Sequence, residues 1–394
     1  MKIKKEKNKH VRNSLIIIYL ASFFLALANA LPAYINSSMI ESAVNVRYVG
    51  FYFASANTVT FFAMLFFPRV IRRIGNLFST KLMLGLGVAS SLALALRPAP
   101  LYLLIFFVTT WMATSLLFNN MDIFLESFTD NHSTGKTRAI YFSIINLAWI
   151  FAPFIASRIV MINDSYGLVY LISSILLLIF FIIITFNKKK INKKVTYDKV
   201  NTKETIIDFW RNLNLRGIYF TSSFLSLFYN SAVVFIPIHL HTNLGLDWGA
   251  LGIIFSVALV PFVLVEVPAG IIADKYLGEK EITYVGLSIL IISLLLFFFV
   301  KSSNPWVWGA ILFLSRVGAA LVEAMRESGF FKIVDVENVS HINFLRTSSP
   351  LGYLVGSGLG VLVLSFYPIQ YLFIFLAILF LYSFYFVFIT KDSK

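Results

Sequence analysis

Apolar runs long enough to cross a membrane recur along the whole chain, and they limit its possible folds more than any other feature. A helix needs about 20 mostly apolar residues to cross the hydrocarbon of a bilayer. No water is available there to bond backbone N–H and C=O groups, so the runs must form helices that satisfy these groups internally. Hydropathy and helix-breaking residues predict twelve such helices, at approximately 13–36, 47–71, 77–96, 100–126, 137–162, 166–187, 216–242, 248–273, 281–300, 305–329, 341–366 and 368–390. The predicted fold class is an all-α polytopic membrane protein.

The first apolar run has two possible interpretations. Basic residues within 2–12, the apolar stretch 14–26 and the small residues Ala28-Asn29-Ala30 form the pattern of a cleaved secretory signal. The apolar run continues to Ile35, however, which exceeds a signal core of about 7–15 residues. We therefore expect an uncleaved first helix.

Composition excludes several other classes of protein. Only 13% of residues are charged, about half the share of roughly 25% in soluble proteins. The net charge of +14 comes from short basic segments between apolar runs, so we expect no nucleic-acid partner. The absence of cysteine excludes disulfides and thiolate metal sites. No HExxH, P-loop or GxSxG motif is present, so we predict neither an enzyme nor a cofactor or metal site.

The distribution of positive charge predicts the orientation in the membrane. Most of the 33 Lys and Arg residues lie on one side if the N-terminus is cytoplasmic. The longest basic segment follows helix six and contains KKKINKK. Because Lys and Arg are concentrated in cytoplasmic loops, we expect both termini in the cytoplasm and the chain in the plasma (inner) membrane.

Polar residues recur at a common offset between the two halves. Asn29 corresponds to Asn230, Asp122 to Glu323, and Glu126 to Glu327, each 201 residues apart. The offset predicts two six-helix bundles, at 1–187 and 216–394, joined by a basic cytoplasmic linker at 188–215. Parallel repeats of this kind are a transporter architecture with the substrate site at their interface.

The segment GIIADKYLGEK, residues 270–280, resembles the signature loop of the major facilitator superfamily. That signature has a glycine, two variable residues, alanine, aspartate and a basic residue, then a spacer, a second glycine and more basic residues. The matching residues here, after a spacer one residue longer than usual, are Gly270, Asp274, Lys275, Gly278 and Lys280. In the corresponding segment of the first half, 68–75, Arg72 replaces the aspartate.

The resemblance covers essentially the whole chain and implies the fold of that family, two pseudo-symmetric six-helix bundles. It also implies that Asp274 closes the cytoplasmic side by contacting the start of helix five. That helix is predicted to begin near Thr137, where free N–H groups and the helix dipole attract an acid, and Arg138 adds an ionic partner.

Three charged residues within the predicted spans are candidates for the substrate and proton pathway. Glu266 precedes Asp274 by eight residues, about 12 Å from the cytoplasmic interface, and Arg316 lies about 16 Å from the external one. Glu323 shares a helix face with Arg316. Glu266 is either a protonatable cavity residue or a permanent structural partner of Arg316 or of a helix end. Arg316 either binds substrate or pairs with Glu323.

Uncharged polar residues complete the predicted substrate and proton pathway. They are Asn29, Asn57, Asn146 and Asn230. His239 and His241 are two residues apart, do not share a helix face and are interpreted as interfacial polar residues.

These features predict a monomeric secondary transporter that moves a small solute by alternating access. Glu266, together with a segment at 148–157 similar to the glycine-proline motif of the family's antiporters, favours a proton-coupled exporter. Alanine or serine occupies each glycine position of that motif, so plain helix packing is the other interpretation. The alternatives are an importer or facilitator of a sugar or other metabolite and, from another class, a membrane-embedded enzyme or a non-transporting scaffold. The expected partners are the solute, protons and the lipid bilayer.

Overall fold

The computed structural model describes residues 2–128, 134–163, 165–191, 202–334 and 339–391. Within these residues the secondary structure is helical, and twelve helices are long and apolar enough to cross a membrane. We number them spans 1–12. Their bounds are Val11–Ala33, Val46–Ile74, Asn76–Ala95, Pro100–Ser127, Ile140–Ile162, Tyr166–Phe186, Leu213–Asn243, Trp248–Ala273, Glu279–Phe299, Pro305–Phe331, Ser340–Phe366 and Gln370–Phe388. The predicted number of spans is therefore confirmed.

Several helices continue beyond these apolar bounds, and shorter ones lie between them. The helix of span 1 covers Lys2–Ala33, that of span 5 covers Thr134–Asn163, and that of span 8 extends to Lys275. The short helices are Asn36–Ala43, Lys188–Ile191 and Thr202–Arg211.

Local sequence explains where several spans begin. Asn45, Asp247 and Asn304 precede spans 2, 8 and 10, and each side chain accepts a backbone hydrogen bond of 3.0–3.1 Å from the first turn. Such caps satisfy N–H groups that have no partner inside the helix. Span 9 follows Gly278, whose φ of +108° is accessible to glycine but strained for other residues.

Four spans of the second half are interrupted. In span 7 an α-helix at Leu213–Asn230 passes into π-helical turns at Ser231–Phe235 and His239–Asn243. Span 8 consists of three helices, Trp248–Ala258, Pro261–Leu264 and Glu266–Lys275. Spans 11 and 12 are interrupted at Thr347 and Tyr382, so their helical parts are Val339–Arg346, Ser348–Phe366, Gln370–Leu381 and Ser383–Phe388.

The interruptions of span 8 have a covalent cause. Pro261 and Pro268 lack the N–H that would bond to the preceding turn, and a proline ring clashes with that turn. The sequence prediction treated span 8 as one continuous helix, and the structure corrects it.

Both chain ends lie at one end of the bundle, which we call the basic end. Ser14 Oγ donates a hydrogen bond of 2.8 Å to the carbonyl oxygen of Lys190, which places the start of span 1 beside the segment after span 6. The backbone N–H of Lys391 donates to Asn214 Oδ1 at 2.7 Å, which places the chain's other end beside the start of span 7. The opposite end is the far end.

The two halves of the chain pack closely against each other near the far end. Span 2 lies against span 11 and span 5 against span 8. A Cβ added at Gly50 would lie 2.7 Å from the carbonyl oxygen of Ser357, and one added at Gly252 would lie 2.7 Å from the Cβ of Ser157. Small residues permit this approach of helix backbones. The largest buried apolar cluster draws residues from both halves, including Phe53 and Phe228.

Candidate functional site

A buried arginine lies halfway along the bundle, where the two halves meet. Arg316 of span 10 is 2% exposed, and its Nη2 donates to the hydroxyl of Tyr34, from the end of span 1, at 3.3 Å. Its guanidinium carbon lies 5.7 Å from the ring centroids of both Phe228 and Tyr229 in span 7. Its Nε and Nη1 have no hydrogen-bond partner among the described residues.

Contacts between aromatic and amide side chains connect this arginine to four further spans. Tyr34 stacks on Phe255 of span 8 with ring centroids 4.5 Å apart. Tyr353 of span 11 lies within electrostatic range of Arg316 and Tyr34, and its ring is 5.8 Å from that of Trp111 in span 4. Trp111 Nε1 in turn donates to Asn57 Oδ1 of span 2 at 3.2 Å. We call Tyr34, Asn57, Trp111, Phe228, Tyr229, Phe255, Arg316 and Tyr353 the central layer.

The structure brings only some of the predicted asparagines to this layer. Asn57 belongs to it, and its Nδ2 donates to the carbonyl oxygen of Phe53 at 2.8 Å. Asn230 is fully buried at the first π-helical turn of span 7, and its Nδ2 donates to Ser357 Oγ at 2.8 Å. Asn29 and Asn146 are half-buried and make no hydrogen bond to another described side chain or backbone group.

Glu266 lies at the interruption of span 8 between the two prolines. It is the first residue of the third helix of that span and is half-buried. Within the described part of the chain its carboxylate has neither a hydrogen bond nor an ion pair, so no pairing with Arg316 is seen. Glu323, Glu327 and Arg326 of span 10 lie within its electrostatic range. Glu266 therefore faces charges without being bound to any of them.

Span 10 carries a charged cluster toward the basic end. Arg326 Nη2 lies 2.7 Å from Glu327 Oε1 and 3.7 Å from Glu323 Oε1. Arg346 of span 11 donates to the same Glu327 oxygen at 2.7 Å, and its Nε lies 4.0 Å from Asp122 of span 4. This last contact joins the two halves of the chain. We call Asp122, Glu323, Arg326, Glu327 and Arg346 the ion cluster.

The ion cluster corrects one sequence interpretation. It also adds two residues that the sequence analysis did not single out, Arg326 and Arg346, which both lie in membrane-spanning helices. Glu323 was weighed as a partner of Arg316, whereas it accepts a hydrogen bond of 2.5 Å from the hydroxyl of Tyr229 and faces Arg326. The three-residue spacing from Glu323 to Arg326 is a helical pairing signal that could have revealed this contact.

The residues of the signature loop have different surroundings. Gly270 is half-buried in the third helix of span 8, Lys275 is exposed at its end, and Gly278 precedes span 9. Lys280 Nζ donates to the carbonyl oxygens of Phe388 at 2.9 Å and Thr390 at 3.0 Å, at the end of span 12. The side chains of Asp274 and Arg138 lie outside the described part of the structure, and the closing contact between them stays a prediction.

His239 is a buried residue, not an interfacial one as the sequence suggested. It is 5% exposed and lies edge-on to Trp308 and Phe373, with ring centroids 5.6 and 5.7 Å away. The π-helical turns of span 7 change which residues share a face, and a sequence pattern with a regular helical period does not show such a change. His241 is half-buried, and its Nδ1 lies 2.8 Å from the carbonyl oxygen of Leu246.

A polar contact joins the two halves at the far end. Thr242 Oγ1 donates to Glu41 Oε2 at 3.2 Å. Burial raises the pKa of Glu41, against smaller lowering effects of the bond from Thr242 and of nearby His241. A raised carboxyl pKa means that this closed arrangement binds a proton more tightly than one that exposes Glu41 to water. Lowering the pH through this raised pKa therefore favours closure of the far end.

Among the described residues, no group of three or more His, Asp or Glu side chains could hold a metal ion. The central layer has one charged side chain, that of Arg316, whereas the ion cluster has charges of both signs. Glu266 interacts electrostatically with three residues of the ion cluster, Glu323, Arg326 and Glu327.

We compared the sequence and the fold with those of known proteins. Residues 18–331 match the model of the Major Facilitator Superfamily. The chain resembles a bacterial homologue of the human lysosomal transporter Spinster, solved inward-facing and unoccupied, with a TM-score of 0.69 and 11% identity over 91% of this chain and 83% of that one. It also resembles a mutant of the nucleoside transporter NupG, with a TM-score of 0.76 and 14% identity over 96% and 100% of the two chains. No curated protein sequence matches it significantly.

Proposed function

The chain belongs to the major facilitator superfamily, a family of membrane transporters, and we propose that it is a proton-coupled exporter that moves a small solute by alternating access. It acts as a monomer in the plasma membrane, with both termini in the cytoplasm. The substrate occupies the central layer, because polar groups of both halves converge there at mid-depth. Transporters built from repeats place their substrate sites at such an interface.

One observation carries the coupling: Glu266 is a half-buried acid with no bonded partner among the described residues, located where span 8 is interrupted. Ionisable residues inside spans are costly and usually mark substrate or proton pathways. Two acids and one arginine of span 10 lie within its electrostatic range. A proton on Glu266 removes its repulsion by Glu323 and Glu327 and makes its side chain easier to desolvate.

Protonation can bias which end is open, because Glu266 leads directly into the segment that carries Asp274. The neutral form favours packing of the third helix of span 8 against its neighbours, whereas the charged form favours access to water. In this scheme Asp274, with Arg138 and the glycines of the signature loop, closes the cytoplasmic side. The inter-half contact between Asp122 and Arg346 adds to that closure.

The outward direction rests on the segment at 148–157. Ala148, Ala152 and Ala156 are at most 1% exposed, and Ser157 packs against Gly252 of span 8. The small-residue motif therefore lies at a contact between the two halves, which supports a part in the transport cycle and is equally compatible with simple helix packing. A facilitator or importer of a sugar or other metabolite is the alternative.

Flux measurements test the proposal. The purified protein is reconstituted in liposomes with labelled solutes (a nucleoside, a hexose, an aryl carboxylate and a lipophilic cation), with and without an imposed pH gradient. We expect the gradient to accelerate the flux of at least one solute, and Glu266→Gln, which mimics the protonated acid, to abolish that acceleration. Glu281→Gln, an exposed acid two residues into span 9, is the matched control.

Two results would contradict the mechanism. Full gradient-driven flux in Glu266→Gln would reduce this residue to a structural role. Wild-type flux that ignores the gradient would exclude proton coupling and leave the facilitator.

A further inference from the structure

The central layer contains a cation without an anion. Arg316 is 2% exposed, and within the described chain no carboxylate lies within 4.0 Å of its guanidinium nitrogens. The acid nearest along its own helix is Glu323, seven residues or about 10 Å away. Glu323 is already bonded to Tyr229 and faces Arg326.

A buried guanidinium in this state is incompletely satisfied. It has five N–H donors in a planar fork, yet only its bond to Tyr34 and the faces of two aromatic rings are present. Cation–π contacts compensate part of the cost of burying the charge. They leave Nε and Nη1 without acceptors, and either of these atoms can form, together with Nη2, the pair of parallel N–H donors that suits the two oxygens of a carboxylate.

We propose that Arg316 is the anion-binding group of the transport site and that the transported solute is an organic monoanion with an apolar or aromatic body. The acidic group pairs with the guanidinium, and the body lies among the rings of the central layer. This inference rests on the proposed function, since it assigns the substrate class of the same site.

The charge of the layer indicates a monoanion and not a polyphosphate. The next arginine along span 10 is Arg326, ten residues or about 15 Å further on, and it is held by Glu327 and Ser222. The rings next to Arg316 are those of Tyr34, Phe228 and Tyr229, and Phe255 of span 8 stacks on Tyr34. Aromatic faces of this kind bind flat apolar groups.

The test is equilibrium binding by calorimetry to the purified full-length protein without any gradient. The probes are three carboxylates, each with its neutral amide: benzoate and benzamide, 2-naphthoate and 2-naphthamide, indole-3-acetate and indole-3-acetamide. One charge-assisted bond to a buried guanidinium changes affinity by about tenfold to a hundredfold. We expect the wild type to bind at least one carboxylate that much more tightly than its amide.

Variants assign the preference to the arginine. Arg316→Gln should bind the acid and its amide equally, and Arg316→Lys, which keeps the charge but not the fork, should retain a reduced preference. Lys301→Gln is the matched control, because it removes one positive charge from an exposed position at the far end. It should leave the preference unchanged.

Three results would overturn the proposal: no carboxylate bound by the wild type, equal affinity for every acid and its amide, or a preference that persists in a folded Arg316→Gln. If Arg316→Gln does not fold, an undiminished preference in Arg316→Lys overturns the forked contact. If the wild type prefers the acid over its amide but transports no solute, the proposed transport function fails and the anion site stands. If a pH gradient drives solute flux but the acid and its amide bind equally, the anion site fails and the transport function stands.

Discussion

The contact between Asp122 and Arg346 should hold the two halves together at the basic end. The carboxylate and the guanidinium approach to 4.0 Å, and their side chains are 24% and 21% exposed. Two unit charges at that distance attract by about 1 kcal/mol in water and about 4 kcal/mol at an effective dielectric constant of 20. Partial exposure and side-chain entropy reduce the larger figure. We expect a coupling energy of about 1–2 kcal/mol, which is a change of about 5- to 30-fold in the equilibrium between closed and open forms.

Alkylation of a single introduced cysteine can measure this equilibrium, because the chain has none of its own. Asn343 of span 11 lines a small cavity that Met64 and Pro68 of span 2 also line, so it lies at the junction of the two halves. On an Asn343→Cys background, Asp122→Asn should increase the rate of labelling by a membrane-impermeant maleimide by that factor.

A double-mutant cycle separates this contact from the others that Arg346 makes. Arg346→Gln also removes the bond to Glu327, and only the non-additive part of the double variant reports the pair with Asp122. Asp208→Asn is the control, because Asp208 faces His341 at the same end. Strictly additive effects, or an unchanged labelling rate in Asp122→Asn, would refute the reasoning.

Three further changes have distinct expected results. Burial raises the pKa of Glu41, so acidification toward that pKa should close the far end. Fluorescence energy transfer between labels on the two halves measures this closure, and a response that persists in Glu41→Gln would contradict the assignment to Glu41. Gly252→Ala forces a Cβ into span 5, and the resulting overpacking, about 1–3 kcal/mol, should lower the unfolding temperature in detergent. Gly85→Ala is the control, because nothing lies within 4 Å of the new Cβ, and it should leave the unfolding temperature unchanged. Cysteines at Lys190 and Asn304 should be labelled from opposite sides of the membrane, and labelling of both from outside would exclude the twelve-span topology.

The sequence predicted the membrane-spanning fold because hydropathy is a local property. The twelve runs that carry the apolar residues match the twelve spans, and the signature at 270–280 predicted the family that the match over 18–331 confirms. The interruptions of spans 7, 8, 11 and 12 were not predicted. A change from α- to π-helical turns alters hydrogen-bond partners without altering the hydrophobic content of the run.

The site was predicted in parts, for a similar reason. Arg316 and Glu266 were found because a charge inside an apolar run is visible in one dimension. The pair of Asp122 and Arg346 was not found, because its members are 224 residues apart and meet only through packing of spans 4 and 11. No local spacing encodes such a contact.

The interruption of span 8 gives its third helix the mechanics of a lever. That helix, Glu266–Lys275, has ten residues and is therefore about 15 Å long. A rotation of about 20° at the interruption, the size of a sharp helix kink, displaces the tip near Lys275 by about 5 Å. Glu266 lies at the pivot. In the proposed cycle, a small change in the packing of its side chain on gaining or losing a proton would therefore be converted into a displacement of the other end of the lever that is large enough to admit or exclude a solute.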